Sequence, residues 1–412
     1  MSDSSHHEDE ALSWWDERLL RIKENDPGVK SIESNGEYMQ NMTNEELEEL
    51  GKNIANNTHL THVDFAHGAL DDNRMQFLFR GLTGSSSTKE LNMSHDGFSV
   101  AGVRSMVPFL QDANNLTRLD LGCNNIQSEG FNMLFRALRD SPIETLLCIY
   151  CGIESIVIDI EHAPKQLKYL VLQDNRINTD GCHELAKLLQ GRESALELLH
   201  LQRNKIDDNG VEILVSALQG NTSPKSLCLR GNDGISNNGQ TMLLRLVNDI
   251  SSVEATLRSN HTLTDLNGAD EQIFRLLIEN ATRINRNADS LEAAGREKVI
   301  TTQLHSVIRA NLADVQGVNH SVYSEINPLH LPEILELVGR RCGQGELYIA
   351  LKSSIAGVIS TVNEKQCVRA QIAYHTARLK ELGNRLAVIE AAEESTVSVG
   401  NETRSIKRRR EC

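Results

Sequence analysis

The sequence predicts an α/β solenoid, in which a curved parallel β-sheet carries helices on its convex side and an all-helical C-terminal region follows. An eleven-residue pattern recurs along the first two thirds of the 412-residue chain, and its apolar positions alternate as they do in a short strand. A helical stretch that begins with glycine follows several copies. Because one strand and one helix cannot bury their own apolar faces, neighbouring copies must stack against one another.

The pattern L-x-x-L-x-L-x-x-N-x-I sets the length of the repeat. It is complete in three copies, which begin at Leu116, Leu167 and Leu196. Degenerate copies begin at Leu60, Thr88, Ile143 and Pro224, and weaker units flank them at Val29 and Leu263. The second apolar position recurs from Val63 to Leu227 at steps of 28, 28, 27, 24, 29 and 28 residues. This spacing accommodates one strand and one helix in each repeat.

Each position within a repeat has its own physical role. Leu119 and Leu121 lie on one face of a short strand, and that face must be buried. Asn124 occupies the ninth place, where asparagine can turn the chain and hydrogen-bond to neighbouring backbone through its amide. The segment from Gly210 has apolar residues at helical spacing, namely Val211, Leu214, Val215 and Leu218. A repeat therefore predicts a strand, a turn and an amphipathic helix.

On these residues the chain resembles the ribonuclease-inhibitor type of leucine-rich repeat, whose unit has about 28 residues and a full helix. The resemblance covers residues 29–268, and the chain looks most like the expanded repeat families of unicellular eukaryotes. It implies a horseshoe that binds other proteins. Members of the wider family include nuclease inhibitors, sensors of the innate immune type, actin-filament capping proteins and the activator of the Ran GTPase, so the fold alone does not select one function.

Two repeats depart from the common length. The unit from Ile143 to Gln166 has only 24 residues, and its helical part contains consecutive β-branched residues and ends at Pro164. This composition predicts a short or irregular convex segment. Between Leu227 and Leu266 the spacing is 39 residues, so the last unit contains an insertion of about 11 residues.

The residues between the strand leucines lie on the concave face of the predicted sheet. That face is polar and acidic in the first repeats, and apolar in the middle of the domain. We predict a partner-binding site there, because soluble proteins rarely leave a contiguous apolar patch bare. The alternative is that the C-terminal region or the irregular unit covers it. The predicted site consists of Leu147, Ile149, Tyr169, Val171, Leu198 and His200.

The chain is expected to divide into five regions. These are an acidic N-terminal tail with a capping helix (1–28), the repeat domain (29–268), a helical cap and linker region (269–345), a long helix or coiled coil (346–395) and a disordered basic tail (396–412). Solenoids need both apolar ends covered. The N-terminal cap is expected to use Leu12, Trp15, Leu19 and Ile22, and the C-terminal cap the segment Glu271–Asn280.

The C-terminal helix carries a heptad seam interrupted by His375. Alternating steps of four and three residues are typical of a coiled coil. The seam predicts either a homodimer or packing inside a helical hairpin of the same chain. Its apolar members are Val368, Ile372, Leu379, Leu382, Leu386 and Ile389.

Composition and charge exclude several functional classes. The chain has 57 acidic and 42 basic residues, a net charge of −15, which argues against general nucleic-acid binding. The first residues lack the basic and apolar parts of a secretory signal, and no apolar run long enough for a membrane span occurs. Eight scattered cysteines fit reduced thiols, so we expect a cytoplasmic protein. The basic run from Lys407 to Arg410 is typical of a nuclear import signal, which makes the nucleus a second location.

No residue pattern points to catalysis, a cofactor or a metal. Cys148 and Cys151 form a C-x-x-C pair, but they hold the inward and ninth places of their repeat, where a small buried residue is expected. The sequence therefore predicts a non-catalytic protein–protein interaction scaffold that binds its partner on the concave face. The alternative is a GTPase-activating regulator that resembles the Ran GTPase activator. That family has a long acidic stretch after its repeats, whereas this chain ends in basic residues.

Overall fold

The computed structural model of the chain describes residues 5–34, 36–190, 194–251, 253–269, 271–299 and 301. These residues contain a nine-stranded sheet whose strands are parallel and follow chain order. The predicted α/β architecture of the repeat region is thus confirmed. The strands are β1 Ser31–Glu33, β2 His62–Asp64, β3 Glu90–Asn92, β4 Arg118–Asp120, β5 Thr145–Leu147, β6 Tyr169–Val171, β7 Leu198–His200, β8 Ser226–Cys228 and β9 Asp265–Asn267.

The strand register follows the spacing of the sequence pattern. Val63 pairs with Leu91, Leu91 with Leu119, and the series continues through Leu227 to Leu266. These central residues are at most 3% exposed, because their side chains point into the core between sheet and helices. Ile32, at the second apolar position of the weaker unit that begins at Val29, pairs with Val63 in the same way. The register predicted from the second apolar position is confirmed.

Helices connect the strands and pack on the side of the sheet where the leucines point. Neighbouring repeat helices contact each other, as α3 does α4 and α7 does α8. The helices are α1 Ser5–Lys23, α2 Gly36–Asn41, α3 Asn44–Asn56, α4 Asp72–Leu82, α5 Val100–Asp112, α6 Gln127–Ala137, α7 Thr179–Gln190, α8 Asp208–Leu218, α9 Asn237–Val247, α10 Val253–Leu257, α11 Gln272–Asn287 and α12 Leu291–Val299. Helix α10 occupies part of the predicted insertion.

All residues between β5 and β6 are described, and this short repeat contains no α-helix there. Its convex segment is extended except for a 3-10 helix at Ile160–His162. Side chains of the two flanking helices hold this segment. Asn132 of α6 accepts a hydrogen bond from the Val157 amide at 2.9 Å, and Glu184 of α7 accepts one from the Ile158 amide at 2.8 Å. These bonds satisfy backbone groups that a helix would have paired internally.

Asparagines at the ninth place tie neighbouring repeats together, and we call this column the asparagine ladder. Asn124 shows the arrangement: its Nδ2 donates to the carbonyls of Met93, in the preceding repeat, and of Leu121, at 2.7 and 3.1 Å. Its Oδ1 accepts from the amide of Gly97 at 2.8 Å. The equivalent bonds recur at Asn175, Asn204 and Asn232. The buried amides therefore satisfy backbone groups that no strand partner reaches.

The tight turn after each strand lies one residue before the ladder. Cys123, which precedes Asn124, has a φ of 58°. The expectation that asparagine itself turns the chain is corrected here, because its amide holds the turn while the preceding residue adopts the left-handed conformation. Each non-glycine residue there costs about 1 kcal/mol, which the ladder bonds offset. The other members of this column are His67, His95, Tyr150, Asp174, Arg203 and Gly231.

Helices cover both ends of the sheet. At the N-terminal end, Trp15 and Ile22 of α1 are buried and Leu19 packs against the core. The Leu12 side chain lies outside the described part of the structure. At the other end α11 packs on β9 and buries Ile278 and Ala281. This helix begins near the predicted residue but continues to Asn287.

A buried lysine anchors the last described helix. Lys298 of α12 is fully buried, and its Nζ donates to the carbonyls of Val247, the last residue of α9, and of Asn260. Burial lowers the pKa of Lys298 to about 7. His261, 3.0 Å from the Lys298 Nζ, has its pKa lowered to about 4, first by burial and then by the lysine charge.

Several predicted features lie outside the described residues. They are the heptad seam in residues 368–389, the basic run in residues 407–410 and all of residues 302–412. Among the residues that are described, no helix is both long and apolar enough to cross a membrane.

Candidate functional site

The structure brings the six predicted site residues together on three adjacent strands. Leu147 of β5 pairs with Val171 of β6, and Val171 pairs with His200 of β7. Tyr169 pairs with Leu198 in the same way. Ile149 follows β5 by two residues and therefore lies on the same face. We call these six residues the central patch.

The central patch lies on the face of the sheet opposite the helices. Tyr169 is 38% exposed, and the other five residues are half-buried. Leu146 and Leu170, which alternate with them along β5 and β6, are fully buried. The patch is therefore reached by solvent, although it belongs to a well-packed sheet. A broad apolar surface of this kind can cover apolar side chains of another molecule.

His200 belongs to the apolar part of this surface in its neutral form. Burial lowers the pKa of His200, and the nearby charge of Asp265 opposes that shift only in part. Asp265 of β9 is itself engaged, because it accepts hydrogen bonds from Ser226 at 3.1 Å and from Asn267 at 2.6 Å. The apolar surface therefore ends at β8, where the hydrogen bond between Ser226 and Asp265 begins the polar part of the sheet.

The opposite flank of the patch is polar and acidic. On β2 to β4 the equivalent positions are Asp64, Asn92 and Asp120, and the Asn92 amide donates to the Asp64 carboxylate at 3.0 Å. Burial raises the pKa of Asp120. In the neighbouring column, the His62 Nε2 lies 3.1 Å from a carboxylate oxygen of Glu90. An approaching partner therefore meets negative charge beside β4 and apolar surface beyond it.

Two stacked histidines form the rim above this acidic flank. The rings of His67 and His95 are nearly parallel with centroids 4.4 Å apart, because both follow their strands in the left-handed column. Sequence reasoning missed this pair, although its 28-residue separation equals the repeat length. Within the described residues, no group of three or more histidine, cysteine or acidic side chains is arranged to hold a metal ion.

The C-x-x-C pair lies in the core of the short repeat. Cys148 and Cys151 are both fully buried as free thiols. Cys151 takes the place of a ladder asparagine, and its thiol donates to the Leu121 carbonyl at 3.3 Å. The contact with Cys151 and burial together raise the pKa of Cys148 well above that of an ordinary thiol. The Cys148 sulfur is therefore not a reactive thiolate in this environment.

Two clefts flank the described fold. The larger, about 490 Å³, lies between α5 and α6 on the helical side, and its Glu129 is paired with Arg104 at 3.1 Å. The smaller, about 200 Å³, lies where β8 and β9 end against α11 and is lined by Arg230 and Arg275. The second cleft lies at β8 and β9, and β8 is the strand next to β7 of the central patch. Sequence reasoning missed it, because Arg275 belongs to a helix beyond the repeats.

Comparisons with known proteins agree with this architecture. The family described as Leucine Rich repeat matches residues 113–134 and 195–215. The chain is 28% identical over 143 residues to the human NACHT, LRR and PYD domains-containing protein 13, a match that covers 33% of this chain and 14% of that protein. It is 30% identical over 164 residues to protein 9 of the same series from Bos taurus, covering 38% and 16%. The chain thus spans less than one fifth of these relatives.

Solved structures with similar chain paths include two proteins. One is described as Leiomodin-1 Actin-Binding Site 2, with 15% identity, a TM-score of 0.24 and coverage of 72% of this chain and 97% of that chain. The other is a tropomodulin C-terminal domain from Caenorhabditis elegans, with 11% identity, a TM-score of 0.20 and coverage of 70% and 98%. TM-scores this low carry no argument about function. The repeated strand, turn and helix and the strand register instead show a leucine-rich-repeat fold, and the family match falls on two of its repeats.

Proposed function

We propose that the chain is a non-catalytic protein–protein interaction scaffold that binds a polypeptide partner on the concave face of its sheet. Leucine-rich-repeat domains in general mediate protein–protein interaction. The observation that carries the proposal is the central patch, whose apolar side chains are contiguous across β5, β6 and β7 and reached by solvent.

The patch has the composition of an interface centre. Tyr169 offers a large ring with a hydroxyl, a residue type that is common among the side chains that dominate binding energy. Leu147 and Val171 add apolar area, worth about 25 cal/mol for each Å² removed from water. The strand backbone holds all three in place, so binding costs little additional ordering. The polar groups of β2–β4 and β8–β9 surround this centre, as a polar rim does in protein interfaces.

An exchange of apolar for charged residues tests the proposal. Leu147→Arg with Val171→Arg places two charges in the centre of the patch and is expected to remove the partner in affinity purification with mass spectrometry. The milder Leu147→Ser with Val171→Ser is expected to weaken capture. Circular dichroism establishes that each variant is folded. A partner set identical to that of the wild type would contradict the proposal.

A matched control separates the patch from general surface effects. Val157→Arg with Ile160→Arg also changes two apolar residues to arginine, but on the convex segment of the short repeat. These side chains are 51% and 44% exposed. The control variant is expected to keep its partner. Loss of the partner from this variant alone would place the binding surface on the helical side.

Location and self-association form the remainder of the proposal. We place the protein in the cytoplasm, with nuclear entry through the basic run in residues 407–410, and we assign a homodimer to the heptad seam in residues 368–389. Both segments lie outside the described residues. Fluorescence imaging of a tagged Lys407→Ala, Arg408→Ala variant tests the first assignment. Light scattering of a Leu379→Asp, Leu386→Asp variant tests the second, and a mass unchanged from a wild-type dimer would contradict it.

A further inference from the structure

Two arginines from different parts of the chain line the same cleft at the C-terminal end of the sheet. Arg230 follows β8 by two residues, and Arg275 lies in the first turns of α11. Asn267, Gly268 and Ala269 also line this cleft, which has a volume of about 200 Å³. Both arginines therefore border one small volume at the place where α11 packs on β9.

Two neighbouring arginines are engaged by other groups of the chain. Arg203, one repeat earlier, lies 3.5 Å from the Asp174 carboxylate, and Arg286 donates to the Thr264 carbonyl at 2.6 Å. Among the described residues, neither cleft arginine has an ion pair within 4 Å, although Glu279 also lines the cleft. What sets Arg230 and Arg275 apart is that both line one cleft, in a chain with a net charge of −15.

The chemistry of the cleft fits a carboxylate. Guanidinium groups bind carboxylates through two parallel N–H···O bonds, which makes arginine pairs suited to acidic side chains. Asn267 also lines the cleft, and its amide donates to the Asp265 carboxylate at 2.6 Å.

The cleft lies close enough to the central patch for one polypeptide to contact both. Leu198 of the patch pairs with Ser226 of β8, and Arg230 follows in the same chain segment. Neighbouring strands lie about 5 Å apart, and four residues along an extended chain span about 13 Å. A segment of a few residues therefore bridges the two sites.

We infer that this cleft binds an acidic side chain of the same polypeptide partner whose apolar residues cover the central patch. The inference rests on the proposed function and adds the chemistry and the direction of the partner. The acid lies at the β8–β9 end of the bound segment, since Asp64 and Asp120 make the other end unfavourable for negative charge.

Peptide display on the full chain tests this inference with a random peptide library as the probe. Four proteins are compared: the wild type, Leu147→Arg/Val171→Arg, Arg230→Glu/Arg275→Glu, and the control Arg136→Glu/Arg245→Glu, which reverses two exposed arginines on α6 and α9. We expect the wild type and the control to enrich peptides with an Asp or Glu at a fixed distance from apolar residues. The cleft variant is expected to select Lys or Arg there instead.

A selected peptide then provides a quantitative cycle. Replacing its acid by the amide is expected to weaken binding to the wild type about tenfold, as for other close charge pairs, and to leave binding to Arg230→Gln/Arg275→Gln unchanged. If charge reversal disturbs folding, the neutral Arg230→Gln/Arg275→Gln variant still allows the contribution of the two arginines to binding to be measured.

The outcomes separate the two proposals. In one outcome Leu147→Arg/Val171→Arg loses the peptides, but the cleft variants select the same sequences as the wild type, whether or not these contain an acid. The proposed function then stands, and the inference that the cleft binds a carboxylate is overturned. If the wild type selects nothing, or Leu147→Arg/Val171→Arg selects the same peptides as the wild type, the proposed function is overturned, and the cleft inference with it.

Discussion

Asp96 occupies the place in its repeat that Asn124 occupies 28 residues later, and the Asn124 Oδ1 accepts a hydrogen bond from the Asp96 amide at 3.1 Å. The two side chains differ in what they can donate. The Asn124 Nδ2 donates to backbone carbonyls, whereas an ionised Asp96 has no proton to donate. Its Oδ2 is buried without a partner, and its Oδ1 accepts from the Leu70 amide at 3.3 Å. A protonated Asp96 would complete the asparagine ladder as an asparagine does.

The first prediction concerns the pH dependence of stability at Asp96. Burial, with a smaller contribution from the Asp64 charge, raises the pKa of Asp96 to about 7 from 3.8. The folded state therefore binds the proton more tightly, so this contribution to stability is complete below about pH 4 and is lost as the pH rises to about 7. Asp96→Asn should raise the free energy of unfolding at pH 8 and reduce its dependence on pH between 4 and 7.

Urea unfolding at pH 5 and pH 8 measures this effect. Asn124→Asp is the matched control, because it introduces a carboxyl at the equivalent place of the next repeat and should create a similar loss of stability at high pH. Equal pH dependence in the wild type and Asp96→Asn would show that Asp96 titrates as an ordinary exposed carboxyl.

The second prediction concerns the cost of removing one amide of the ladder. Asn204→Ala leaves the Leu172 and Leu201 carbonyls without the hydrogen bonds that the amide donates at 2.9 and 3.0 Å. Each unsatisfied buried group costs roughly 1–3 kcal/mol, so the free energy of unfolding should fall by about 2–4 kcal/mol. Asn209→Ala, an exposed change in the same repeat, should lower it by less than about 0.5 kcal/mol. Equal losses would show that the ladder adds no stability.

The third prediction concerns the buried Lys298. Its pKa of about 7 lies below the ordinary value of 10.5, so the unfolded chain binds the proton more tightly between these values. Stability should therefore increase as the pH rises from 7 to about 10. Lys298→Met should remove this increase in stability and make the amide protons of α12 exchange faster. Lys205→Met, at an exposed position, should change neither; a pH dependence retained in Lys298→Met would contradict the assignment.

The fourth prediction concerns the extended segment of the short repeat. Asn132→Ala removes the acceptor for the Val157 amide. Hydrogen exchange of residues 155–158 should become about five- to tenfold faster, since one hydrogen bond contributes about 1 kcal/mol. Gln111→Ala, an exposed change on the neighbouring α5, should leave that rate unchanged. The same rate in both variants would mean that packing alone holds the segment.

The repeat itself could be predicted from sequence because its period is recorded in apolar residues. Leu91, Leu119 and Leu146 lie at one position of the pattern, and parallel pairing of neighbouring units follows from it. The short convex segment could be predicted in the same way, since Pro164 and the β-branched run before it disfavour a helix. The central patch could be predicted because side chains alternate along each strand, which places its six residues on one face of neighbouring strands.

What the sequence could not supply depends on packing between distant segments. The cleft of Arg230 and Arg275 exists because α11 packs on β9. No sequence pattern predicts how a helix outside the repeats packs on the last strand. The Asp96 carboxyl resembles an ordinary turn residue until its burial is known. The stacked pair of His67 and His95 needed the left-handed conformation of the residue before the ladder, which was expected at the asparagine itself.

Site-specific photo-crosslinking tests most directly whether the central patch binds the partner. The photoreactive p-benzoylphenylalanine replaces Tyr169 in one protein and the exposed Val157 of the helical side in another. We predict a covalent adduct with a partner polypeptide from position 169, lost when Leu147→Arg is added, and none from position 157. An adduct from position 157 with none from position 169 would contradict the proposed function.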